Sequence, residues 1–593
     1  MRLFLLTTLC VVLIASPSYS ATILLEAESF ADKGGWVVDQ QFMDQMGSPF
    51  LLAHGMGEPV KPATTRITFA NSGDYRVFVR TRDWVAPHGP GRFRLVVDAK
   101  RLETVFGANI GDKWKWQHGG TVSIRQGEVA ISLEDLSGFE GRCDAIIFSD
   151  EAKFSPPEDP GELASFRRKA LGLGEPADAG NFDLVVVGGG IAGTCAAVSA
   201  SRMGLNVALI NDRPVLGGNG SSEIRVHPDG KLAGGIYPAL ADMVNEIAIS
   251  KMQNAGPAED YGDQRRLDVV AAEKNISLFL NMHAHAVEKA GDRITAVLAR
   301  NVLDGKEVRF RGSLFADCTG DATIGFLAGA DYRMGREGRD ETGESLAPPK
   351  GDKMTLGTSN MWYAKKTAAP SAFTACPWAI RFNDKTCFRV TKGDWDWETG
   401  LTRDTIAEAE LIRDHNFRAI YGNWDYLKNH TADYANWKLD WVAYVAGKRE
   451  SRRLLGDLIL TQQDLVERKA YPDGCVITGW QIDLHYYSDA QKKQFPGEEF
   501  RTVVGKAIPI QPYLVPYRCF YSRNISNLFM AGRSVSVTHV AFGAVRVQKT
   551  TGQMGVVVGR AAYICRKHNI EPRQVFRDRL DELKQVLSEP ARE

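Results

Sequence analysis

Residues 184–212, LVVVGGGIAGTCAAVSASRMGLNVALIND, constrain the fold more than any other stretch. Leu184 to Val187 is a continuous apolar run, preceded by Phe182 and Asp183, the pattern of a parallel strand covered on both faces. Gly188, Gly190 and Gly193 follow at the spacing G-x-G-x-x-G, then a helix of small residues, then a second strand from Val207 to Ile210. In such a unit the first glycine permits the tight turn and the second lets a pyrophosphate approach the backbone. The third lets the helix pack closely on the strand. The helix N-terminus offers free N–H groups and a partial positive charge to the phosphates. A glycine triplet alone says little, but its place within a βαβ unit of about thirty residues predicts a bound dinucleotide. Asn211 stands where an acidic residue usually meets the ribose hydroxyl, with Asp212 one step later, so ribose contact is expected of either.

A chain of 593 residues needs two or three domains. Lys plus Arg and Asp plus Glu are both 72, so no global charge attracts a polyanion and nucleic acid is not an expected partner. Residues 1–20 read as an export signal: basic Met1-Arg2, apolar Leu3 to Ala15, and Ser18-Tyr19-Ser20 before Ala21. Such a signal implies a periplasmic or extracellular protein; a buried N-terminal strand is the other reading. No other segment reaches about eighteen uninterrupted apolar residues, so stable membrane insertion is not expected. The nine cysteines form no C-x-x-C, which indicates neither a zinc site nor a redox pair. Cys376 and Cys387 are the closest candidates for a disulfide, whereas Cys195 and Cys318 read as buried thiols.

Residues 21–152 read as short strands, among them TILLEAESF, DYRVFVRTR, RFRLVVDAK and CDAIIFSD, with turn residues between them and no helical crossover. An all-β sandwich is expected. Glu26-x-Glu28, GDYRVFVR (73–80), the Trp114/Trp116 pair and Asp144 give this part a resemblance to jelly-roll carbohydrate-binding modules. That resemblance implies that the early acids hold a structural calcium and that Trp36, Trp84, Trp114 or Trp116 stack on sugar faces. The alternative is that these rings are core and the domain is a structural accessory. A connector at 153–180, rich in Pro, Gly and charge, carries one short helix from Glu162 to Ala170.

Three blocks follow the glycine turn: RPVLGGNGSSEIRVH (213–227), FADCTGDATIGFLAGA (315–330) and NLFMAGRSVSVTHVAFGAVRVQKTTGQMGVVVGRAA (527–562). With GKRESRRLLGDLIL (447–460), GWQIDLHYY (479–487) and PYRCFYSRN (516–524), they resemble the secreted FAD-dependent oxidoreductases of the glutathione-reductase-like flavoprotein superfamily. The resemblance covers nearly all of 182–570. It implies FAD as cofactor and a Rossmann-like α/β domain in two parts, 181–335 and 510–593, interrupted by an α+β substrate domain at 336–509. It also implies cofactor contacts from Gly188, Gly190, Gly193, Asn211, Asp212, Arg213, Gly217, Gly218 and Ser222. Thr319, Gly320, Asp321, Gly532, Arg533 and Gly552 complete that set. Asn211 departs from the glutamate that flavoproteins often place there.

The local chemistry agrees. NLFMAGR ends a strand at Ala531-Gly532, where backbone can approach a phosphate or ribityl chain with no Cβ in the way. Gly552, Gly555 and Gly559 lie near one face of the next helix. Its N-terminus, near Thr550–Gly552, would stabilise the anion formed when a flavin is reduced; helix packing alone is the other account of these glycines.

Oxidising a C–H bond further requires a base and groups that orient the substrate. Without C-x-x-C or a second glycine fingerprint, neither a disulfide relay nor a dedicated NADPH domain is expected. The enzyme is expected to take electrons from an organic substrate, or to give them to one, with a separate molecule as redox partner. His539 lies between the strand and the helix expected at the flavin and is the first candidate base; His485, beside Asp483, is the alternative. Arg225, His227 and Arg546 suit a clamp on an anionic or polyhydroxylated substrate. Arg449, Arg452 and Arg453 with Glu450 read first as an ion-pair network. Abundant Trp, Tyr and Asp in 336–509, including Trp362, Trp395 and Trp441, point to a small-molecule substrate of the sugar or glycoside class. The expectation is hydride transfer from a carbohydrate to FAD. Two alternatives stand beside it: net non-redox chemistry through transient oxidation, and a glycan-binding protein with a non-catalytic flavin fold.

Overall fold

The computed structural model of the chain describes residues 21–251 and 253–590; the expected export signal lies outside them. Two four-stranded antiparallel sheets and a three-stranded one (Phe139–Cys143, Phe50–His54 and Val37–Asp39) form the N-terminal part. One four-stranded sheet orders Thr22–Glu26, Ala145–Ser149, Gly73–Thr81 and Lys115–Ile124; the other orders Ala63–Phe69, Gly127–Asp135, Phe93–Val97 and Lys100–Arg101. Alternation explains the packing: Val129, Ile131 and Leu133 turn inward from one strand to meet Val77, Val79, Ile146 and Phe148 from the opposite sheet. Trp36 sits in this core, edge-on to Phe93.

Of the two acids expected at a calcium site, Glu26 is paired with an arginine, whereas Glu28 is buried and forms no ion pair with an arginine among the described residues. Arg167, from the connector helix Pro160–Ala170, lies 2.9 Å from Glu26 and 2.6 Å from Asp144, which also binds Arg80 at 2.7 Å. The guanidinium thus supplies the charge anticipated from a cation. Among the described residues no cluster of His, Cys, Asp and Glu is arranged to hold a metal ion. The other tryptophans also turn inward or are tied: Trp84 is buried against Trp378, Trp114 donates to Glu410, and Trp116 donates to the Pro157 carbonyl.

The connector is shorter than expected, because the first strand of the large sheet already begins at Ala177. That sheet runs Ile276–Phe279, Val207–Ile210, Ala177–Val187, Glu307–Asp317, Arg293–Asn301 and Met282–Ala290, with Leu528–Met530 parallel to the end of Glu307–Asp317. The strands flanking Ala177–Val187 run parallel to it, and its last four residues, Leu184–Val187, are buried, matching the apolar end of its sequence. Helix Ile191–Arg202 packs along helix Gln548–His568. A Cβ on Gly555 would lie 2.0 Å from the Ala192 carbonyl and one on Gly559 2.6 Å from that of Ala196, so these glycines set how closely the two helices meet.

The insert is not continuous from 336 to 509. Arg453–Leu454 pairs with Tyr332–Arg333, Gly474–Thr478 pairs with Tyr513–Pro516, and Leu465, Val476 and Leu484 lie in the main core. The separate core of the insert gathers around helix Ala409–His430, with Trp362, Trp397, Trp424 and Phe500. Trp84 and Phe139 of the sandwich belong to that same cluster. Arg142, fully buried, reaches across to Asp414 at 2.5 Å and Glu410 at 2.5 Å, and Arg413 pairs with Asp39. Sandwich and insert are therefore packed as one unit. The eight described cysteines are all free thiols, Cys376 and Cys387 included. No described helix is long and apolar enough to cross a membrane.

Candidate functional site

A groove runs over the carboxyl ends of the parallel strands. Its floor is the glycine turn. Gly188 has φ +102° and a Cβ there would lie 2.3 Å from the Cys318 carbonyl; a Cβ on Gly193 would lie 1.8 Å from the Gly188 carbonyl. Gly190 differs: its nearest neighbour to an added Cβ is Gly218 Cα at 3.9 Å, so it faces open groove. It is the N-cap of helix Ile191–Arg202 and has no capping side chain, leaving the first N–H groups directed to the groove. Gly217, whose N–H bonds the Gly189 carbonyl, and Gly218 complete the cradle.

Asn211 lines the groove, but its amide is spent on the turn. Its oxygen accepts from Gly189 N–H at 2.9 Å, and its NH₂ donates to the carbonyls of Arg213 and Val215. The carboxylate left for a ribose is that of Asp212, beside Arg213. Thr319, Gly320 and Asp321 stand opposite, with Gly532 (φ +98°) and Arg533. Burial alone would raise the Asp321 carboxyl, yet Lys448, bonded at 2.7 Å, and Arg533 hold it down at about 2. Arg533 Nη1 is buried without a partner in the protein. An unpartnered guanidinium nitrogen, an open glycine cradle and an uncapped helix end together fit a dinucleotide pyrophosphate.

At the far end stand Arg546, Gln548 and Thr551. Arg546 Nη2 donates to Asp483 at 2.8 Å and lies 3.2 Å from His485 Nε2. His485 Nδ1 lies 2.5 Å from Glu398, and the Trp395 ring is centred 4.9 Å from the imidazole. Burial would raise Glu398, but the charges of Arg449 and His485 and the bonds from His485 and Thr502 hold it at about 2. Glu398 is thus an ionised acceptor and fixes Nδ1 as the donor, leaving Nε2 toward Arg546 and Asp483.

Other expected residues lie elsewhere. His539, like His485 and Asp483, is buried and outside the groove lining, with Nδ1 on Glu450 at 2.8 Å and its N–H on Glu337 at 2.8 Å. Unlike His485, it makes no hydrogen bond with Arg546 of the groove wall. Both acids pair with Arg453, so this is the ion-pair network expected of the arginine run. Arg225 holds the carbonyls of Ser222 and Gly256 and stacks 4.0 Å over Trp441, away from the groove lining; His227 binds Ser250. Ser222 is held by Asp263 through its N–H and does not line the groove. Gly552 packs against Ile191 and Val244, because the helix starts at Gln548 and presents Gln548 and Thr551 instead. Glu398 and four N-terminal residues, Gln40, Gln41, Asp44 and Gln45, joined the site without any signal in the sequence, whereas Lys448 lies in the block 447–460 that carried the family resemblance.

A dinucleotide groove at the ends of a parallel sheet defines the class as a nucleotide-cofactor oxidoreductase. Residues 183–587 match the family described as FAD dependent oxidoreductase, and the chain belongs to that family. No curated protein matches. Among solved structures, the chain resembles a glycerol-3-phosphate dehydrogenase from Bacillus halodurans complexed with FAD at 12% identity and TM-score 0.21, over 34% of this chain and 42% of that one. It thus spans less than half of that enzyme's length. The flavin-dependent brominase Bmp2 is similar at 9% identity and TM-score 0.32, over 69% and 86% of the two chains. A family 35 carbohydrate binding module from Clostridium thermocellum matches at 14% identity and TM-score 0.18, over 22% and 97%. Similarities this distant bear on neither substrate nor mechanism.

Proposed function

We propose that this protein is an exported enzyme that oxidises a carbohydrate or glycoside hydroxyl, with His485 as the base. The glycine turn, Asp212 and Arg533 would hold FAD, which would supply the hydride acceptor for the carbon that bears the hydroxyl. One observation carries the assignment: Arg546 is at once a wall of the cofactor groove and a hydrogen-bond partner of the buried His485–Asp483 pair. In this reading Nε2 of His485 takes the hydroxyl proton as the C=O forms, while Glu398 orients the ring through Nδ1. Asp483, 3.4 Å from Nε2, then stabilises the imidazolium. Trp395, partly exposed beside the imidazole, suits the apolar face of a sugar ring. Export is supported by the leader-like residues 1–20.

Anaerobic mixing with a glycoside panel tests this. A substrate should bleach the flavin lastingly, and His485→Asn should slow bleaching about 10²- to 10⁴-fold with FAD retained. His539→Asn should leave the rate within a few-fold of wild type. An unaffected rate in His485→Asn would remove His485 as the base, and product formation with unaided return of flavin colour would indicate the non-redox alternative.

A further inference from the structure

The matched family region begins at residue 183, yet the groove has a wall made by residues far upstream of it. Gln40, Gln41, Asp44 and Gln45 line it, from a segment containing the single helical turn Met43–Met46. We propose that this segment is a strap that holds FAD in the groove, so that cofactor retention depends on the N-terminal sandwich.

The strap is tied on every side. At its start Asp39 pairs with Arg413 of the insert, both fully buried. Gln41 spans to the groove edge: its amide donates to the Tyr444 carbonyl at 3.0 Å, and its oxygen accepts from Ala446 N–H at 2.8 Å. Gln45 donates to the Ile406 carbonyl at 3.1 Å. Asp44 lies 2.9 Å from His283 on the sheet side, and His283 itself lines the groove beside Met282 and Ala284. At the strap's end Arg300 donates to the Gly47 carbonyl at 2.6 Å. Asp44 also feels Lys448 and Asp321, a charged pair that lines the same groove. Nothing else in the sandwich lines the groove, which makes residues 40–45 the part of this domain that acts on the cofactor.

This rests on the assignment of the groove to FAD; intact protein that takes up no flavin would remove that assignment, not the strap alone. With flavin bound, release is measured from the rise in free-flavin fluorescence after dilution, beside the equilibrium Kd. Asp44→Ala and Gln41→Ala should each speed release about tenfold, the factor expected for one hydrogen bond of charge-assisted or paired kind. Gln41→Ala carries the test if Asp44→Ala fails to fold. Ile131→Ala, a cavity in the sandwich core remote from the strap, should leave release unchanged. Unchanged release in both strap variants overturns the proposal, as does equal acceleration by Ile131→Ala.

Discussion

Two glycines three residues apart should respond to alanine in opposite ways. At Gly190 the backbone is extended (φ −66°, ψ 179°), a conformation any residue adopts, and an added Cβ meets nothing closer than 3.9 Å. Alanine is a poorer N-cap than glycine but lowers the entropy of the unfolded chain, and these effects largely cancel, leaving stability within about 1 kcal/mol. The new methyl occupies the space where a pyrophosphate would meet the helix N–H groups. Losing two such charge-assisted bonds, at about 1.5–3 kcal/mol each, weakens FAD by about 10²- to 10⁴-fold. At Gly193 the Cβ would lie 1.8 Å from the Gly188 carbonyl and 3.0 Å from Cys318 Cβ, both on the strand side of the turn. Helix and strand must separate, and several kcal/mol of stability should be lost whether or not FAD is present. Flavin titration of the apo-protein, paired with urea unfolding without flavin, separates the two. If Gly190→Ala binds FAD normally, the cofactor does not approach this turn and the reasoning about the groove fails.

Two further outcomes follow from the buried charges. Glu398 titrates at about 2 when folded against 4.5 as its ordinary value. The depressed carboxyl contributes stability above pH 4.5 that is lost as pH falls from 4.5 toward 2, on the order of 3 kcal/mol. Urea midpoints of wild type should drop through that window and those of Glu398→Gln should drop less; parallel curves would refute the pairing with Arg449 and His485. Arg142→Met leaves the buried Asp414 without its bidentate partner, while Glu410 keeps Arg82, and should cost about 3–5 kcal/mol in unfolding experiments. A loss below about 1 kcal/mol would mean that the sandwich–insert interface is not held by this arginine.

The glycine turn was legible because strand, turn and helix follow within about thirty residues, although the Cys318 carbonyl that Gly188 must clear lies far downstream. Asn211 was only half legible: its position beside the turn was right, but whether it met a ribose or the turn depended on which way its amide faced. His539 was placed near the flavin by its neighbours in sequence, whereas its partner Glu450 lies 89 residues away and draws it out of the groove. His485 was chosen for its neighbour Asp483, and the group that orients it, Glu398, is 87 residues upstream. Trp84 looked like a sugar platform because nothing in the sandwich sequence shows that another domain covers it. The strap is the extreme case: Asp44 meets His283 across 239 residues, with no periodicity or motif linking them.

The cluster shared by Trp84, Phe139, Trp378 and Tyr421 has an evolutionary corollary. A module that ends in a neighbour's interior cannot be shuffled like a bead on a string. Any ancestor that traded this front half for another would have had to trade helix Ala409–His430 with it, or repaint both surfaces at once. The two halves are therefore expected to have been inherited together, changing residue by residue in step.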